Sequence, residues 1–401
     1  MSSATGLPLS GLTVVDLGQV YQGPYCSLLM ARAGAEVIKV EPLGGESARR
    51  RAQLSPGASL PFAMLNSDKK SVTLNLKSDD GRMLLTKMVR RSDVLLENFA
   101  PGVMDRLGLG YAALSKVNPR LVYASGTGYG LSGPDRDRLA MDLTVQAMSG
   151  VMSVTGFPDG PPLKAGPAIA DFLGGVHLYG AIVTALFERE RTGRGRLVEV
   201  AMEEAVYPTL ASNLGLLHSD GDDAVVRTGN RHGGLAVAPY NVYPASDGHV
   251  ALICNGDGHW RDLALAMGRP ELADDPRFSS NAERCRNMAG VDAAVEAWTR
   301  TRTRADLFEI ARQSRLPCAP VRTLAEVMND PHMHERGMLN WIDHPQLGRV
   351  VLPDSPLRFH GAEAPPLTPS RDLGADNAAV YRDWLGVSAQ DLERFARDGA
   401  I

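Results

Sequence analysis

The stretch LTVVDLGQVYQGPYCSLLMARAGAEVIKV, residues 12–40, decides the fold. It begins with a short β-branched run that ends in Asp16, and it continues through a loop at residues 18–24 that contains glycine and proline. Residues 25–33 predict a helix that Gly34 stops, and residues 36–40 predict a second strand. A strand, a helix and a strand in this order are typical of a βαβ unit, from which mostly parallel sheets are built.

The alternation of strands and helices continues to residue 125. We predict strands at 71–76, 93–97 and 121–125 and a helix at 79–91. The fold class is therefore α/β, with a large domain built on a mostly parallel, Rossmann-like sheet that has helices on both faces. Ligands of such sheets gather at the carboxyl ends of the strands. The loops expected to bind a ligand are 18–24, 98–102 and 126–133.

The sequence pattern of the later part of the chain is different. Helices predicted at 142–149, 172–191 and 202–217 are followed by the polar stretch HSDGDD, residues 218–223. Residues 238–253 then predict a β-hairpin with an Asp-Gly turn, which indicates a second, smaller α+β domain. The predicted limits are 1–217 for the N-terminal part of the large domain, 218–225 for a linker, 226–329 for the small domain, 330–345 for a second linker and 346–401 for a C-terminal return to the large domain.

Composition excludes several classes of protein. The 401 residues are 44% hydrophobic and 22% charged, as in an ordinary soluble globular chain, and the net charge of -4 does not favour a nucleic-acid partner. No apolar run approaches the ~20 residues that span a bilayer, and the first eight residues lack a signal-peptide pattern. The cysteines are far apart and form no CxxC pair, which predicts reduced thiols, a cytoplasmic location and no cysteine zinc site. They are Cys26, Cys254, Cys285 and Cys318.

Asp171 is the candidate reactive residue. It lies in KAGPAIADFLGGVH, residues 164–177, among small and apolar side chains with two glycines soon after it. A poorly solvated carboxylate has a raised pKa and an unshielded nucleophilic oxygen. An Asp in such a place also commonly caps a helix or forms a turn, so the local pattern leaves both roles open.

Seven segments together resemble one known family, the class III CoA-transferases, which include formyl-CoA and carnitine CoA-transferases. The resemblance runs from about Leu9 to the C-terminus, and the segments occur in the family's order. It implies that Asp171 falls at the family's catalytic aspartate. The segments are DLGQVYQGPY (16–25), GAEVIKVEP (34–42), NSDKKSVTLNLK (66–77), ENFAPG (97–102), GTGYGLSGP (126–134), RERTGRG (189–195) and GNRHG (229–233).

The resemblance implies a covalent mechanism. Asp171 would attack an acyl-CoA thioester to form an acyl-aspartyl anhydride, and CoA thiolate would then convert it to an aspartyl-CoA thioester. No tightly bound cofactor and no metal is expected, because CoA or acyl-CoA is a substrate and the sequence has no metal-ligand spacing. The glycines after Asp171 would leave room, and backbone N–H groups there could stabilise oxyanions.

The resemblance also implies contacts with CoA. The loop after the first strand would pack CoA and shield the aspartate, the stretch at 74–77 would hold the adenine end, and Arg106 would contact phosphate. Phe99 as a core residue and Arg106 as a solvated helix residue are open alternatives. His232 and Gly233 would reach the substrate from the small domain, or His232 would brace its own loop. The implied CoA-binding residues are Gln19, Val20, Tyr21, Gln22, Leu74, Asn75, Lys77, Asn98, Phe99, Arg106 and Asp142.

Pro42 departs from the family pattern. Formyl-CoA transferase has an arginine at this position near the nucleotide. Lys39 or the cluster Arg49–Arg51 is the expected replacement for its charge.

Two alternative functions stay open. The α-methylacyl-CoA racemases share the fold but use a histidine in a Gly-His-Asp motif, where this chain has Leu139-Ala-Met-Asp142 and no histidine before His177. A two-base proton shuttle would therefore lack one partner. A non-catalytic CoA-binding protein is the other alternative.

The resemblance finally implies an architecture and a class of substrate. Each subunit would be an open ring, and two rings would interlock as a homodimer. Succinyl-CoA is a possible donor and a small dicarboxylate a possible acceptor, with Arg49, Arg138 or Arg231 on the second carboxylate. Itaconate, malate, mesaconate, glutarate, oxalate and aromatic succinates stay open.

Overall fold

The computed structural model describes residues 6–51, 53–55, 58–221, 224–362 and 365–401. The chain forms two compact units. The first unit runs up to Val145 and also contains Pro167–Val206 and Met328–Ile401. The second contains Gln146–Gly166 and Tyr207–Val327.

The first unit contains the parallel sheet that the sequence predicts. Six strands are ordered β5-β2-β1-β6-β7-β8, and every neighbouring pair is parallel. A six-stranded parallel sheet with helices confirms the α/β class. In chain order the strands are β1 (Thr13–Asp16), β2 (Glu36–Glu41), β3 (Gln53–Ser55), β4 (Ala58–Ser59), β5 (Lys70–Thr73), β6 (Val94–Glu97), β7 (Val122–Thr127), β8 (Leu197–Ala201), β9 (Tyr240–Ala245), β10 (Gly248–Ile253), β11 (Cys318–Pro320), β12 (Leu339–His344) and β13 (Gly348–Pro353).

The helices connect and cover these strands. Short 3₁₀ turns lie at Ser47–Arg50 and Tyr207–Leu210, and a π-helix lies at Ala378–Trp384. The α-helices are α1 (Gln22–Arg32), α2 (Leu60–Asn66), α3 (Asp79–Val89), α4 (Val103–Arg106), α5 (Tyr111–Val117), α6 (Asp142–Met148), α7 (Val151–Val154), α8 (Ile169–Thr192), α9 (Met202–Val206), α10 (Ala211–Asp220), α11 (Asp257–Ala266), α12 (Glu271–Asp274), α13 (Asn281–Arg286), α14 (Met288–Thr299), α15 (Arg304–Gln313), α16 (Leu324–Met328), α17 (Pro331–Glu335) and α18 (Ala389–Arg397).

Both faces of the parallel sheet are buried, as parallel sheets require. Alternate residues of β1 face opposite layers: Val14 packs with α1 and α8, whereas Val15 packs with α3 and α5. The C-terminal segment adds to the second layer, where the Tyr381 hydroxyl donates a hydrogen bond to the Thr73 carbonyl at 2.7 Å. Helical layers therefore cover both faces of the sheet.

The second unit has an antiparallel sheet, ordered β11-β10-β9. β9 and β10 form the predicted hairpin, but the predicted Asp247-Gly248 turn is wrong: Gly248 pairs with Ala245 in the sheet, so the turn residues are Ser246 and Asp247. Buried side chains of α11, α14 and α15 pack against this sheet, with Trp260 as the largest.

Several predicted boundaries are wrong. α1 begins at Gln22 rather than at residue 25, and α8 begins at Ile169 rather than at 172, so Asp171 lies inside the helix. The strand predicted at 71–76 ends at Thr73, where the chain leaves the sheet. The two predicted linkers contain regular structure, since α10 includes residues 218–220 while α17 and β12 lie within 330–345. Residues 222 and 223 lie outside the described residues, and the predicted domain limits stay a prediction.

Helix α8 corrects the statement that no run is long enough to cross a bilayer. This helix of 24 residues is long and apolar enough to cross a bilayer, judged by length and composition alone. Leu178, Ile182 and Leu186 on one side of it are buried against the sheet. A core helix of an α/β unit has the same composition, so this helix is weak support for a membrane span.

We predict that Ile182→Ala destabilises the protein by about 2–5 kcal/mol, because it removes a fully buried side chain and leaves a cavity between α8 and the sheet. Urea unfolding at one fixed protein concentration measures the change. Thr184→Ala, at an exposed position on the same helix, is the matched control and should change stability by no more than about 0.5 kcal/mol. Equal effects of the two variants would contradict this packing.

Candidate active site

A cavity of about 200 Å³ lies at the carboxyl ends of β1, β6, β7 and β8. This is where ligands of open parallel sheets bind. The loop after β1, the loop after β6 and the first residue of α9 each contribute to its wall. The cavity is lined by Gln19, Val20, Gln22, Asn98, Phe99, Ala100, Pro101, Gly126, Thr127, Gly128, Arg136, Arg138, Leu139, Ala140, Met141, Asp171 and Met202.

Asp171 lies in the first turn of α8 and lines this cavity with only 8% of its surface exposed. Gly174 and Gly175 follow one turn later and allow α1 to approach α8. A Cβ atom at Gly175 would lie 2.7 Å from the Gln22 carbonyl oxygen, and one at Gly174 would lie 2.8 Å from Gln22 Nε2. Because both glycines lie beyond the first turn, helical hydrogen bonding occupies their N–H groups. Their role is therefore close packing, their own N–H groups are not available to an oxyanion, and oxyanion stabilisation by other backbone N–H groups stays a prediction.

Asp142 caps α8 from outside the helix. Ala168, at the N-cap position, offers no side-chain acceptor. Instead Asp142 Oδ1 accepts hydrogen bonds from the backbone N–H groups of Ala170 at 2.8 Å and Asp171 at 3.3 Å. This contact fixes the backbone that carries the Asp171 carboxylate. Asp142 does not line the cavity, so its implied place near the pantetheine stays a prediction.

The surroundings of Asp171 disfavour its charged form. Burial, and next the charge of Asp142, raise the pKa of Asp171 to about 7, while the charge of Arg51 acts in the opposite direction. A pKa near 7 allows both the ionised and the protonated form of this carboxyl group to be populated around neutral pH. Such a group can act as a nucleophile in its ionised form, with little water to shield its oxygens.

A second cavity of about 530 Å³ collects most of the residues implied to bind CoA. It lies at the carboxyl ends of β2 and β5, beside α4. Gln19 and Phe99 line both cavities. The second cavity is lined by Leu17, Gln19, Val40, Glu41, Pro42, Leu43, Leu74, Asn75, Leu76, Lys77, Phe99, Val103, Arg106 and Leu107.

The remaining members of the implied CoA set have other surroundings. Asn98 lines the first cavity only, and Tyr21 lines neither, with its ring centroid 6.1 Å from that of Phe172. Phe99 both lines the cavities and packs against the core, and Arg106 is exposed on α4. The structure thus brings this set to one edge of the sheet, and the individual roles stay predictions.

Of the proposed substitutes for the arginine missing at Pro42, Lys39 and Arg49 do not fit that role, and a role of Arg50 or Arg51 stays a prediction. Lys39 is buried, pairs with Glu46 Oε1 at 3.1 Å and donates to the Gly18 carbonyl. Arg49 is buried and makes two hydrogen bonds of 2.7 Å to the Glu41 carboxylate. Both cations are therefore committed to the protein interior. Arg50 and Arg51 of the cluster have no such carboxylate partner among the described residues.

His232 and Gly233 belong to the second unit. His232 Nδ1 accepts a hydrogen bond from the Gly234 N–H at 3.1 Å, and its ring lies 5.5 Å from that of Tyr240. These contacts brace the loop that carries it. A role of His232 or Gly233 in substrate binding stays a prediction.

Some residues of the cavity were not found from the sequence. Arg136 lies two residues beyond the GTGYGLSGP segment, so extending the predicted 126–133 loop to the start of α6 would have included it. Gly126, by contrast, lies in the predicted 126–133 loop; it is the last-but-one residue of β7, and a Cβ there would lie 2.8 Å from the Gln22 side chain. Met202 begins α9 directly after β8, and nothing in its local sequence marks it.

The chain belongs to CoA-transferase family III, whose sequence model matches residues 9–377. Acetyl-CoA:oxalate CoA-transferase of Acetobacter aceti is 38% identical, covering 96% of this chain and 97% of that protein. Succinyl-CoA--D-citramalate CoA-transferase of Chloroflexus aurantiacus is 34% identical, covering 96% of each. The fold matches the crystal structure of a CAIB/BAIF family protein from Brucella suis with a TM-score of 0.83 and 34% identity, over 95% of this chain and 100% of that one. This chain is therefore a CoA-transferase, which confirms the resemblance and removes support from the racemase and non-catalytic alternatives.

We predict that Asp142→Asn lowers the pKa of Asp171 below 7. The amide oxygen can still accept from the N–H groups of Ala170 and Asp171, whereas the negative charge that disfavours ionisation is lost. Carbon-13 NMR titration of labelled aspartate carboxyl groups, assigned with Asp171→Asn, measures the shift. An unchanged or higher pKa of Asp171 would contradict the assigned influence of Asp142.

Proposed function

We propose that this CoA-transferase uses Asp171 as its covalent nucleophile. The observation that supports this role best is a buried carboxylate of raised pKa in the wall of a cavity at the carboxyl edge of the sheet. Carboxylate attack on a thioester needs an ionised oxygen with few waters on it, and burial supplies the second condition. The pKa near 7 keeps the first condition available at neutral pH.

Each step of the proposed reaction balances the bonds formed and broken. An Asp171 carboxylate oxygen attacks the acyl carbonyl of acyl-CoA, the carbon–sulfur bond breaks, and CoA leaves as the thiolate. The thiolate then attacks the aspartyl carbonyl of the mixed anhydride, which releases the donor acid and forms an aspartyl-CoA thioester. The acceptor carboxylate attacks this thioester, and the same steps run in reverse to give the new acyl-CoA and free Asp171.

The second cavity is the proposed binding site for the nucleotide end of CoA. Apolar side chains such as Leu74 and Leu76 can cover the adenine, and the exposed Lys77 and Arg106 are placed to meet phosphates. Gln19 and Phe99, which line both cavities, would contact the pantetheine between the nucleotide and the thiol. Loss of the arginine expected at Pro42 leaves these two cations as the proposed phosphate contacts.

A small dicarboxylate is the proposed acceptor. Of the three arginines considered for its second carboxylate, only Arg138 lines the Asp171 cavity, where it also pairs with Asp135. Arg49 is bound to Glu41 and Arg231 pairs with Asp292 at 2.6 Å, and neither lines that cavity. Arg136 lines it as well. The relatives named for oxalate and citramalate act on dicarboxylic acids, which supports the same class here. Succinyl-CoA is the proposed donor.

The proposed assembly is an interlocked homodimer of open rings, as the family resemblance implies. The proposed location is the cytoplasm, in line with the separated cysteines. Large apolar side chains that a partner subunit could cover support an assembly, because contiguous exposed apolar surface commonly marks an interface. They include Phe187 and Val176 on α8, which are 65% and 44% exposed.

We predict that Asp171→Asn lowers CoA exchange by at least about 1,000-fold while CoA still binds, because removal of a covalent nucleophile leaves only binding and positioning. Steady-state exchange with succinyl-CoA and a panel of dicarboxylates measures the loss. Mass spectrometry after hydroxylamine trapping should find a modified Asp171 in the wild type. Asp383→Asn, at an exposed surface position, is the control. Substantial turnover by Asp171→Asn would remove Asp171 from the mechanism.

We predict that Arg106→Gln weakens the binding of CoA by roughly threefold to thirtyfold, because it removes a charged hydrogen-bond donor from a phosphate. The loss should shrink at high salt, as expected for an exposed ionic contact. Isothermal titration with CoA and with pantetheine, which lacks the nucleotide, distinguishes the site of the effect. Arg120→Gln, at an exposed position between α5 and β7, is the control. Equal weakening for CoA and pantetheine would place Arg106 away from the phosphates.

A further inference from the structure

The loop Gly18–Val20, between β1 and α1, is held by side chains from four other positions. Asp16 Oδ1 accepts from the Gly18 N–H at 2.7 Å, and Lys39 Nζ donates to the Gly18 carbonyl. The Asn98 side chain accepts from the Gln19 N–H at 2.7 Å and donates to the Gln19 carbonyl at 3.0 Å. Glu46 Oε2 accepts from the Val20 N–H at 2.8 Å. Five successive polar groups of the backbone are thus fixed.

Val20 has a backbone conformation that valine rarely adopts. Its φ angle is +63°, in the left-handed region. A β-branched side chain is crowded there, and such conformations persist only where the surrounding contacts impose them. They are concentrated at functional sites, and Val20 lines the cavity that contains Asp171.

Glu46 is the contact that acts on Val20 directly. Its side chain is 1% exposed and pairs with Lys39, which is equally buried, at 3.1 Å. The backbone N–H of Glu46 donates to Glu41 Oε2 at 3.2 Å, and Glu41 is in turn fixed by Arg49. The Glu46–Lys39 pair is therefore hydrogen-bonded to the loop at two points, the Val20 N–H and the Gly18 carbonyl.

Folding stability alone does not account for the buried Glu46–Lys39 ion pair. Taking two charges out of water costs about as much free energy as their attraction returns, so buried ion pairs contribute little net stability compared with apolar residues of similar size. Glu46 and Lys39 also make hydrogen bonds to the backbone of the Gly18–Val20 loop, so the pair directly restrains the geometry of that loop. The loop also contributes Gln19 to the walls of both cavities.

We propose that Glu46 is a positioning residue that holds Val20 in its left-handed conformation and thereby sets the wall of the Asp171 cavity. Glu46 does not line either cavity and acts through the backbone of Val20. The inference rests on the proposed function, because the wall matters through its placement of the acyl group against Asp171. Misplacement of reacting groups lowers the rate of the chemical step more than it weakens binding.

A double-mutant cycle between Glu46 and Val20 tests this role. Glu46→Ala should lower kcat by about 10- to 100-fold with little change in KM for acyl-CoA, and should slow the trapping of the Asp171 adduct equally. Glycine adopts positive φ without crowding. In a Val20→Gly background the cost of Glu46→Ala should therefore fall to at most about threefold. Glu46→Gln, which keeps an acceptor oxygen, should retain more activity than Glu46→Ala and serves if the alanine variant does not fold.

Glu36→Ala is the control, because Glu36 lies on the same strand as Lys39 but pairs with Lys70 at the exposed surface. It should keep the wild-type kcat. Wild-type kcat and trapping rate in Glu46→Ala, or the full cost of Glu46→Ala in the Val20→Gly background, would overturn the role of Glu46. Failure of the wild type itself to form an Asp171 adduct would instead overturn the proposed function.

Discussion

The contact between the Asp142 carboxylate and the first turn of α8 is the constraint on which the site depends. It supplies the acceptor that the helix lacks at Ala168, so α8 can begin at Ile169 and carry Asp171 into the cavity wall. The same carboxylate adds a negative charge beside Asp171 and, together with burial, raises its pKa to about 7. One side chain thus fixes the backbone that carries the candidate nucleophile and, after burial, contributes to its raised pKa. Position and reactivity of Asp171 are coupled through a helix cap.

Burial divides the cations of the first unit into two functional groups. Lys39, Lys69 and Arg49 are buried and bound to carboxylates of the protein, where a ligand anion could not compete without leaving an uncompensated charge. Their role is to hold the ends of β1 and β2 and the loops beyond them. Exposed cations, among them Lys77, Arg106, Arg136 and Arg138, line the two cavities. Burial therefore separates the basic residues that hold the structure from those that a ligand can reach, and position in the sequence is not enough to tell them apart.

The sequence predicted the sheet well because buried parallel strands leave a strong local signal. β1, β2, β6 and β7 were each found within two residues, and the loops that follow β1, β6 and β7 do line the Asp171 cavity. Helix starts were missed at Gln22 and Ile169 because their signals are unusual: α1 has no side-chain cap, and α8 is capped by a residue 28 positions away from Ala170. The burial and ion pairing of Lys39 and Arg49 could not be predicted either, because both depend on contacts that the chain makes only once folded. The roles of the CoA-binding residues, of His232 and of Gly233 came from family resemblance and stay predictions.

Gln19 and Phe99 form a partition between the two cavities, because both residues line each of them. This arrangement has a kinetic consequence for the proposed mechanism. CoA thiolate is the leaving group of the first step and the nucleophile of the second. If the nucleotide end stays seated on one side of the partition, the freed sulfur cannot diffuse away and attacks the anhydride as an intramolecular reagent. Effective molarities for well-oriented intramolecular attack reach about 10⁵ M or more, far above any concentration of free CoA. The anhydride would then be consumed by the tethered sulfur before water reaches it, so the nucleotide cavity protects a reactive intermediate by retaining its partner.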